Sequence, residues 1–161
     1  MLNNIIDRIR LPFRKEKELY SSLRSILGFF PHDISYYKLA LMHKSVMRRN
    51  AKGKPVNNER LEFLGDAILD AIVGDIVYRL FPGKREGFLT NTRSKLVQRE
   101  TLNKLAKELG ISRLILSNGR SSSHNNYMGG NAFEALVGAI YLDKGYDACM
   151  RFMKNRILAQ M

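Results

Sequence analysis

The stretch NNERLEFLGDAILDAIVGDIVYRLFP, residues 57–82, decides the fold. Its apolar residues recur in every direction around a helix, which predicts one long helix buried in the middle of a domain. Four acidic residues interrupt this pattern, and at 100° per residue they fall within an arc of about 80°. The acidic stripe consists of Glu59, Glu62, Asp66 and Asp70.

A solvated polar face is the ordinary explanation for such a stripe, but three features argue against it. No Lys or Arg stands four residues from these acids to neutralise them. Five of the chain's 15 acidic residues fall between positions 59 and 75, although the chain as a whole is basic. Large apolar residues flank the stripe, and carboxylates lose hydration beside such a surface. We therefore predict that the stripe opens into a functional cleft.

A second stretch, GGNAFEALVGAIYLD at 129–143, has the same design. Asn131 and Glu134 stand three residues apart, Gly138 completes the stripe, and nearly everything else is apolar. Two helices with narrow polar stripes predict one shared site, in which clustered carboxylates would raise each other's pKa values. A hard divalent cation relieves that repulsion, and oxygen ligands favour Mg²⁺, with Mn²⁺ as a possible substitute. No cluster of Cys and His suggests zinc.

The overall charge indicates a polyanionic partner. Lys and Arg number 27 against 15 Asp and Glu, which gives a formal net charge of +12. Such an excess is typical of proteins that bind nucleic acid. A basic surface around an acidic metal-binding cleft predicts metal-dependent cleavage of a phosphodiester backbone.

The remaining composition excludes several classes of protein. Cys149 is the single cysteine, so no intramolecular disulfide can form, and we expect a buried thiol in a reducing, cytoplasmic setting. No apolar run reaches the length of a membrane span, so no membrane partner is expected. No small-molecule cofactor is expected either.

Helical periodicity dominates the whole chain and predicts an all-α fold. The predicted helices lie near 3–9, 16–27, 35–43, 58–80, 88–109, 112–115, 131–142 and 145–158. Two polar segments, 48–55 and 117–130, are predicted to be loops.

The segment NERLEFLGDAILD (58–70) closely resembles the signature of the ribonuclease III family. Three further stretches match in order: ALMHKS (40–45), EGFLTNTRSKLVQRETLNKLA (86–106) and FEALVGAIYLDKGY (133–146). The resemblance implies the family's endonuclease domain over residues 19–158, after a basic amphipathic extension at 1–18. It also implies that these 161 residues contain no double-stranded-RNA-binding domain.

The resemblance further implies an Mg²⁺-dependent enzyme with two central buried helices that carry the acidic site. Such enzymes act as homodimers on double-stranded RNA, for example ribosomal RNA precursors, and leave 5′-phosphate and 3′-hydroxyl ends. The catalytic, metal-binding positions of the family correspond to Glu62, Asp66 and Glu134, and the fourth, usually Asp, is Asn131. An amide oxygen can still bind a hard cation but brings no charge, so we expect weaker metal affinity.

The resemblance assigns secondary roles to eight more positions. Glu59 and Glu86 match accessory acids near the dimer cleft, and Phe63 matches an aromatic that the family inserts into its partner subunit, although an ordinary core Phe is the alternative. Candidate RNA contacts are His43, Lys44, Ser45, Arg93 and Lys95. His43 could instead be a structural histidine, and Arg93 and Lys95 could be solvated charges. The alternative function is a ribonuclease III-like module that binds structured RNA without cutting it.

Overall fold

The fold is all-α, as the sequence predicts. The computed structural model describes residues 2–11, 16–118 and 122–161, and within these it does not describe the side chains of 2–4, 7 and 122–126. In the described residues the α-helices are α1 (Leu2–Arg10), α2 (Lys17–Leu27), α3 (Ile34–Ala40), α4 (Glu59–Leu80), α5 (Glu86–Val97), α6 (Arg99–Leu109), α7 (Ser122–Lys144) and α8 (Tyr146–Leu158). Short 3-10 helices occupy Lys44–Val46 and Ile111–Arg113.

Helices α4 and α7 pack against each other at the centre of the fold. Leu69, Ile72 and Val73 of α4 are fully buried, and so is most of the apolar run from Ala132 to Ile140 of α7. The remaining helices supply the outer layer of the same core. The prediction of two central buried helices is therefore correct.

A pair of glycines lets these two helices touch backbone to backbone. A Cβ on Gly65 would overlap the carbonyl oxygen of Glu134, and a Cβ on Gly138 would lie 2.5 Å from the carbonyl oxygen of Leu61. Both positions therefore require glycine, since any side chain would separate the helices. The sequence placed Gly138 on a polar stripe, whereas the structure uses it for this close approach.

The carboxylate of Asp143, at the end of α7, fixes the start of α3. It accepts hydrogen bonds from the backbone N–H groups of His32 (3.1 Å) and Asp33 (2.9 Å), and from the hydroxyl of Tyr37 (2.7 Å). Three hydrogen bonds to one side chain connect the end of α7 to the start of α3.

The predicted single helix at 88–109 is wrong, because the chain forms two helices there. Gln98 adopts an extended conformation with ψ of 157° and separates α5 from α6. The hydroxyl of Thr101 donates to the carbonyl of Lys95 across the break, at 2.9 Å. No Gly or Pro marks this break, so the sequence pattern gave no warning of it.

The predicted loop at 117–130 is also wrong over much of its length, because α7 begins at Ser122; residues 119–121 lie outside the described part. Gly129 and Gly130 face α6 so closely that added Cβ atoms would lie 3.2 Å from Ala106 Cβ and 2.8 Å from Asn103 Oδ1. This packing outweighs the low helix propensity of the Ser- and Asn-rich sequence.

The other expectations concern the chain's first helix and its cysteine. Helix α1 carries exposed Ile5, Ile6 and Ile9 together with Arg8 and Arg10. Positions 12–15 lie outside the described part, and the amphipathic extension at 1–18 stays a prediction. Cys149 is fully buried, as expected of a small core residue. None of the helices in the described residues is long and apolar enough to cross a membrane.

Candidate functional site

The acidic stripes of α4 and α7 meet in one cavity of about 380 Å³. Glu59, Glu62 and Asp66 reach it from α4, and Asn131 and Glu134 reach it from α7. The backbone contact at the glycine pair explains why the two stripes come together. The other lining residues are His43, Lys44, Asn58 and Phe63.

A second cavity of about 250 Å³ is lined in part by the same side chains. It shares Glu62, Asp66, Asn131 and Glu134 with the first cavity. Its remaining wall comes from the first half of α6 and the first half of α7: Arg99, Leu102, Asn103, Tyr127 and Gly130. We call the four shared side chains the acidic partition, because both cavities border them.

The acidic side chains of the partition are partly buried and lie close to one another, which raises the pKa of two of them. Burial, followed by the charges of Asp66, Glu62 and Asp70, raises the pKa of Glu134 to about 7, and Arg99 opposes this rise. Burial and then Glu59 raise the pKa of Glu62, while Lys44 and Arg99 oppose it. The predicted rise in pKa thus occurs at both residues; burial is its largest cause, and Arg99 and Lys44 offset it only in part.

The donor set fits a hard divalent cation. In the described part of the chain no Lys, Arg or His forms an ion pair with Glu62, Asp66 or Glu134. All four shared side chains offer oxygen, which Mg²⁺ and Mn²⁺ prefer. Across residues 2–11, 16–118 and 122–161, however, no three His, Cys, Asp or Glu side chains come close enough to hold a metal ion. The acids therefore line a common space without meeting at one point, as mutual repulsion favours.

A small hydrogen-bonded group holds His43 and Lys44 at the mouth of the first cavity. The Nδ1 atom of His43 accepts from the backbone N–H of Ser45 (3.1 Å) and lies 2.7 Å from its hydroxyl oxygen. That oxygen accepts from the backbone N–H of Asn118 at 3.0 Å. Ser45 therefore supports the ring of His43 and does not itself line the cavity.

Besides Ser45, three residues predicted to act on the substrate or beside the dimer cleft line neither acidic cavity. Glu86 is exposed at the start of α5, and Lys95 is exposed near its end. Arg93 is half-buried against α4, where an added Cβ on Gly74 would lie 3.7 Å from its Nη1 atom. Asp70, the last acid of the stripe, also lies outside both linings, and Arg93 opposes the rise in its pKa that burial and Asp66 cause.

Phe63 is not a core residue, because 82% of its side chain is exposed. It stands between the first acidic cavity and an adjoining groove of about 860 Å³. That groove is mainly apolar and includes Tyr36, Leu39, Pro55, Val56, Leu64 and Leu142.

Sequence reasoning missed several residues of the site. Asn58 is buried, lines the first cavity and donates to the carbonyl of Ala40 at 3.1 Å. Arg99, Asn103 and Tyr127 were missed because the break at Gln98 and the early start of α7 bring them beside the acids.

Together the fold and site define an all-helical, basic protein whose central pair of helices carries an acidic cleft. The family model described as Ribonuclease-III-like matches residues 33–161. The chain therefore belongs to the ribonuclease III-like family.

Relatives and solved structures agree with this assignment. The chain is 68% identical over 158 residues to proteins named Ribonuclease 3 from Bacteroides thetaiotaomicron and Bacteroides fragilis. These matches cover 98% of this chain and 51% and 54% of those proteins, so the chain spans about half their length. The solved nuclease domain of ribonuclease III from Campylobacter jejuni is 31% identical, with a TM-score of 0.74, over 88% of this chain and 95% of that one.

Proposed function

We propose that this chain is the nuclease part of an endoribonuclease that cleaves double-stranded RNA by hydrolysis with Mg²⁺ as cofactor. The observation that carries the proposal is the shared acidic partition of Glu62, Asp66, Asn131 and Glu134 in a strongly basic chain. The likeness to proteins named Ribonuclease 3 supports it. Processing of ribosomal RNA precursors in the cytoplasm is part of the proposal, and the single buried Cys149 suits a reducing compartment.

Some residues of the chain would hold the cation, and others would position the RNA. The three carboxylates and the Asn131 amide oxygen would hold the cation. When bound, the cation offsets phosphate charge and makes water easier to deprotonate. Lys44, at the cavity mouth, would bind backbone phosphate, and the bonds around Ser45 keep this segment in place. Glu59 adds negative charge at the same mouth and would favour the cation.

The proposal includes a homodimer in which Phe63 of each copy inserts into the groove of the other. An exposed aromatic beside an apolar groove loses unfavourable contact with water when both are covered. A solved structure of the Campylobacter jejuni nuclease domain is described as showing flexibility in a region involved in dimer formation. A dimer would also provide two clefts, one for each strand of a duplex.

The test is incubation of the purified chain with long duplex RNA and Mg²⁺, with a chelated control and analysis of the product ends. We expect fragments with 5′-phosphate and 3′-hydroxyl ends only when Mg²⁺ is present. Glu134→Gln should abolish cleavage but retain duplex binding, because it removes a ligand charge and leaves the basic surface intact. Glu18→Gln, an exposed change on α2, is the matched control. Wild-type cleavage by Glu134→Gln at saturating Mg²⁺ would contradict the site.

The second candidate function is duplex or structured-RNA binding without cleavage. Two observations favour it: Asn131 lowers the negative charge of the partition, and the described acids do not converge on one point. The same experiment decides between the two, since salt-sensitive binding with no fragments at any Mg²⁺ concentration would support this alternative.

A further inference from the structure

We propose that Arg99, held against the face of Tyr127, is a phosphate-binding residue that positions the RNA backbone in the second cavity. The inference rests on the proposed function, because it assumes that the polyanion entering the cleft is RNA. It goes beyond the predicted contacts, which place basic residues only on the His43–Ser45 segment and on α5.

The first step concerns location. Arg99 is the first residue of α6 and lines the second cavity together with Glu62, Asp66, Asn131 and Glu134. Lys44 lines the first cavity, so one cation stands beside the shared acids in each of the two cavities. Among the described lining residues of the second cavity, Arg99 is the only cation and therefore the group that can hold a phosphate next to the acids.

The second step concerns the availability of the guanidinium. Its central carbon lies 4.9 Å from the centroid of the Tyr127 ring. Stacking on an aromatic face uses the flat side of the guanidinium and leaves its N–H donors free in the plane, where they match phosphate oxygens. Arg99 is exposed, and among the described residues no carboxylate forms an ion pair with it.

The third step concerns how the two side chains are held. Asn103, one turn along α6, accepts a hydrogen bond from the backbone N–H of Gly130 at 2.7 Å. The close approach of Gly130 to Asn103 and Leu102 fixes the same contact between α6 and α7. Arg99 and Tyr127 project from the two elements that are locked together in this way.

The fourth step concerns the effect of Arg99 on the stability of helix α6. A cation at a helix N-terminus is unfavourable because the macrodipole is positive there. Arg99→Gln removes this unfavourable interaction together with the contact between Arg99 and Tyr127, so the two effects on stability oppose each other. Thermal melting therefore serves to show that the variant is folded, and the RNA measurements test the proposal.

The experiment compares Arg99→Gln with Lys107→Gln, which removes the same charge from an exposed position on the same helix outside both cavities. Steady-state cleavage of duplex RNA is measured, with equilibrium binding over a range of salt concentrations and thermal melting. We expect Arg99→Gln to lower kcat/KM by about 10- to 100-fold. We also expect the slope of log affinity against log salt concentration to become shallower by about one unit, which corresponds to the loss of one phosphate contact. Lys107→Gln should change neither quantity more than about twofold.

Tyr127 variants test the stacking contact independently. Tyr127→Leu removes the ring face and should lower kcat/KM in the same direction as Arg99→Gln, whereas Tyr127→Phe keeps the ring face and should lose less activity than Tyr127→Leu. Equal losses of kcat/KM and of salt slope in Arg99→Gln and Lys107→Gln would overturn the proposal. They would show that only the net charge of the surface affects RNA binding. Wild-type cleavage and salt slope in Arg99→Gln would overturn it as well.

The binding measurement separates this proposal from the proposed function. If the wild-type chain binds duplex RNA but does not cleave it, the nuclease assignment fails, and the salt slope of Arg99→Gln still decides whether Arg99 contacts phosphate. If the wild type cleaves normally and Arg99→Gln matches it in both rate and slope, the Arg99 proposal alone fails.

Discussion

Glu134 makes folding sensitive to pH when no divalent cation is present. Its folded pKa of about 7 lies above the ordinary value of 4.5, so the native state holds this proton more tightly than the unfolded state. The native state is therefore not penalised below about pH 4.5, and stability is lost as pH rises through about 7. We expect the wild-type melting temperature in chelator to fall between pH 5 and pH 8 relative to that of Glu134→Gln. If the melting temperatures of the wild type and Glu134→Gln differ by the same amount at pH 5 and at pH 8, the raised pKa of Glu134 is contradicted.

Asn131 offers a second test at the level of one atom. If its amide oxygen faces the bound cation, Asn131→Asp adds one ligand charge at nearly unchanged size. Without metal the added charge increases repulsion and should lower the melting temperature; with Mg²⁺ the variant should gain more stability than the wild type. Melting curves over an Mg²⁺ titration check both effects. Superimposable titrations would show that Asn131 points away from the cation.

Individual residues also show the limits of sequence reasoning about the site. The positions on the α4 and α7 stripes were found because helical spacing alone puts Glu62, Asp66 and Glu134 on narrow polar faces. Arg99 and Tyr127 could not be found in that way, since their approach depends on how α6 packs against α7. Arg93 was predicted as an RNA contact from the motif, but it lines neither cavity, and its position against α4 at Gly74 depends on tertiary packing.

At the level of elements, the contact between α4 and α7 is the feature of the fold that tolerates substitution least, because Gly65 and Gly138 leave no room for a side chain. Gly65→Ala should lower the free energy of unfolding by about 3 kcal/mol, because the new methyl group overlaps the Glu134 carbonyl. Gly87→Ala is the matched control, since a Cβ there meets nothing within 4 Å and Gly87 lies within α5. That control should gain up to about 1 kcal/mol from the lower backbone entropy of the unfolded chain. Chemical denaturation measures both changes. Equal free energies of unfolding for Gly65→Ala and Gly87→Ala would contradict the close contact between α4 and α7.

Element boundaries were predictable where apolar periodicity is strong and not elsewhere. The prediction for α4 came within one residue at its start, because the segment is long and periodic. The break at Gln98 carries no Gly or Pro, and its extended conformation depends on how α5 and α6 each pack. The helical start at Ser122 runs through residues that favour turns, so only contacts with α6 could have revealed it.

The whole molecule is expected to pair through the groove beside Phe63. Phe63→Ala should weaken self-association by at least about 30-fold, because a buried aromatic at the centre of an interface dominates its binding energy. Tyr78→Ala is the control: it removes another exposed aromatic, 71% accessible, from the same helix outside the groove. Sedimentation at several concentrations provides the measurement. A wild-type chain that stays monomeric at micromolar concentration, or equal effects of the two variants, would argue against this interface.

The glycine crossing of α4 and α7 has a practical consequence for protein engineering. Because main-chain atoms set the distance between the helices, the width of the acidic partition does not depend on which polar groups stand at positions 62, 66, 131 and 134. A mutant library can therefore vary those four positions to seek new metal preferences while the scaffold keeps its shape. Positions 65 and 138 must stay fixed in such a library, since a single methyl group there would move every ligand at once.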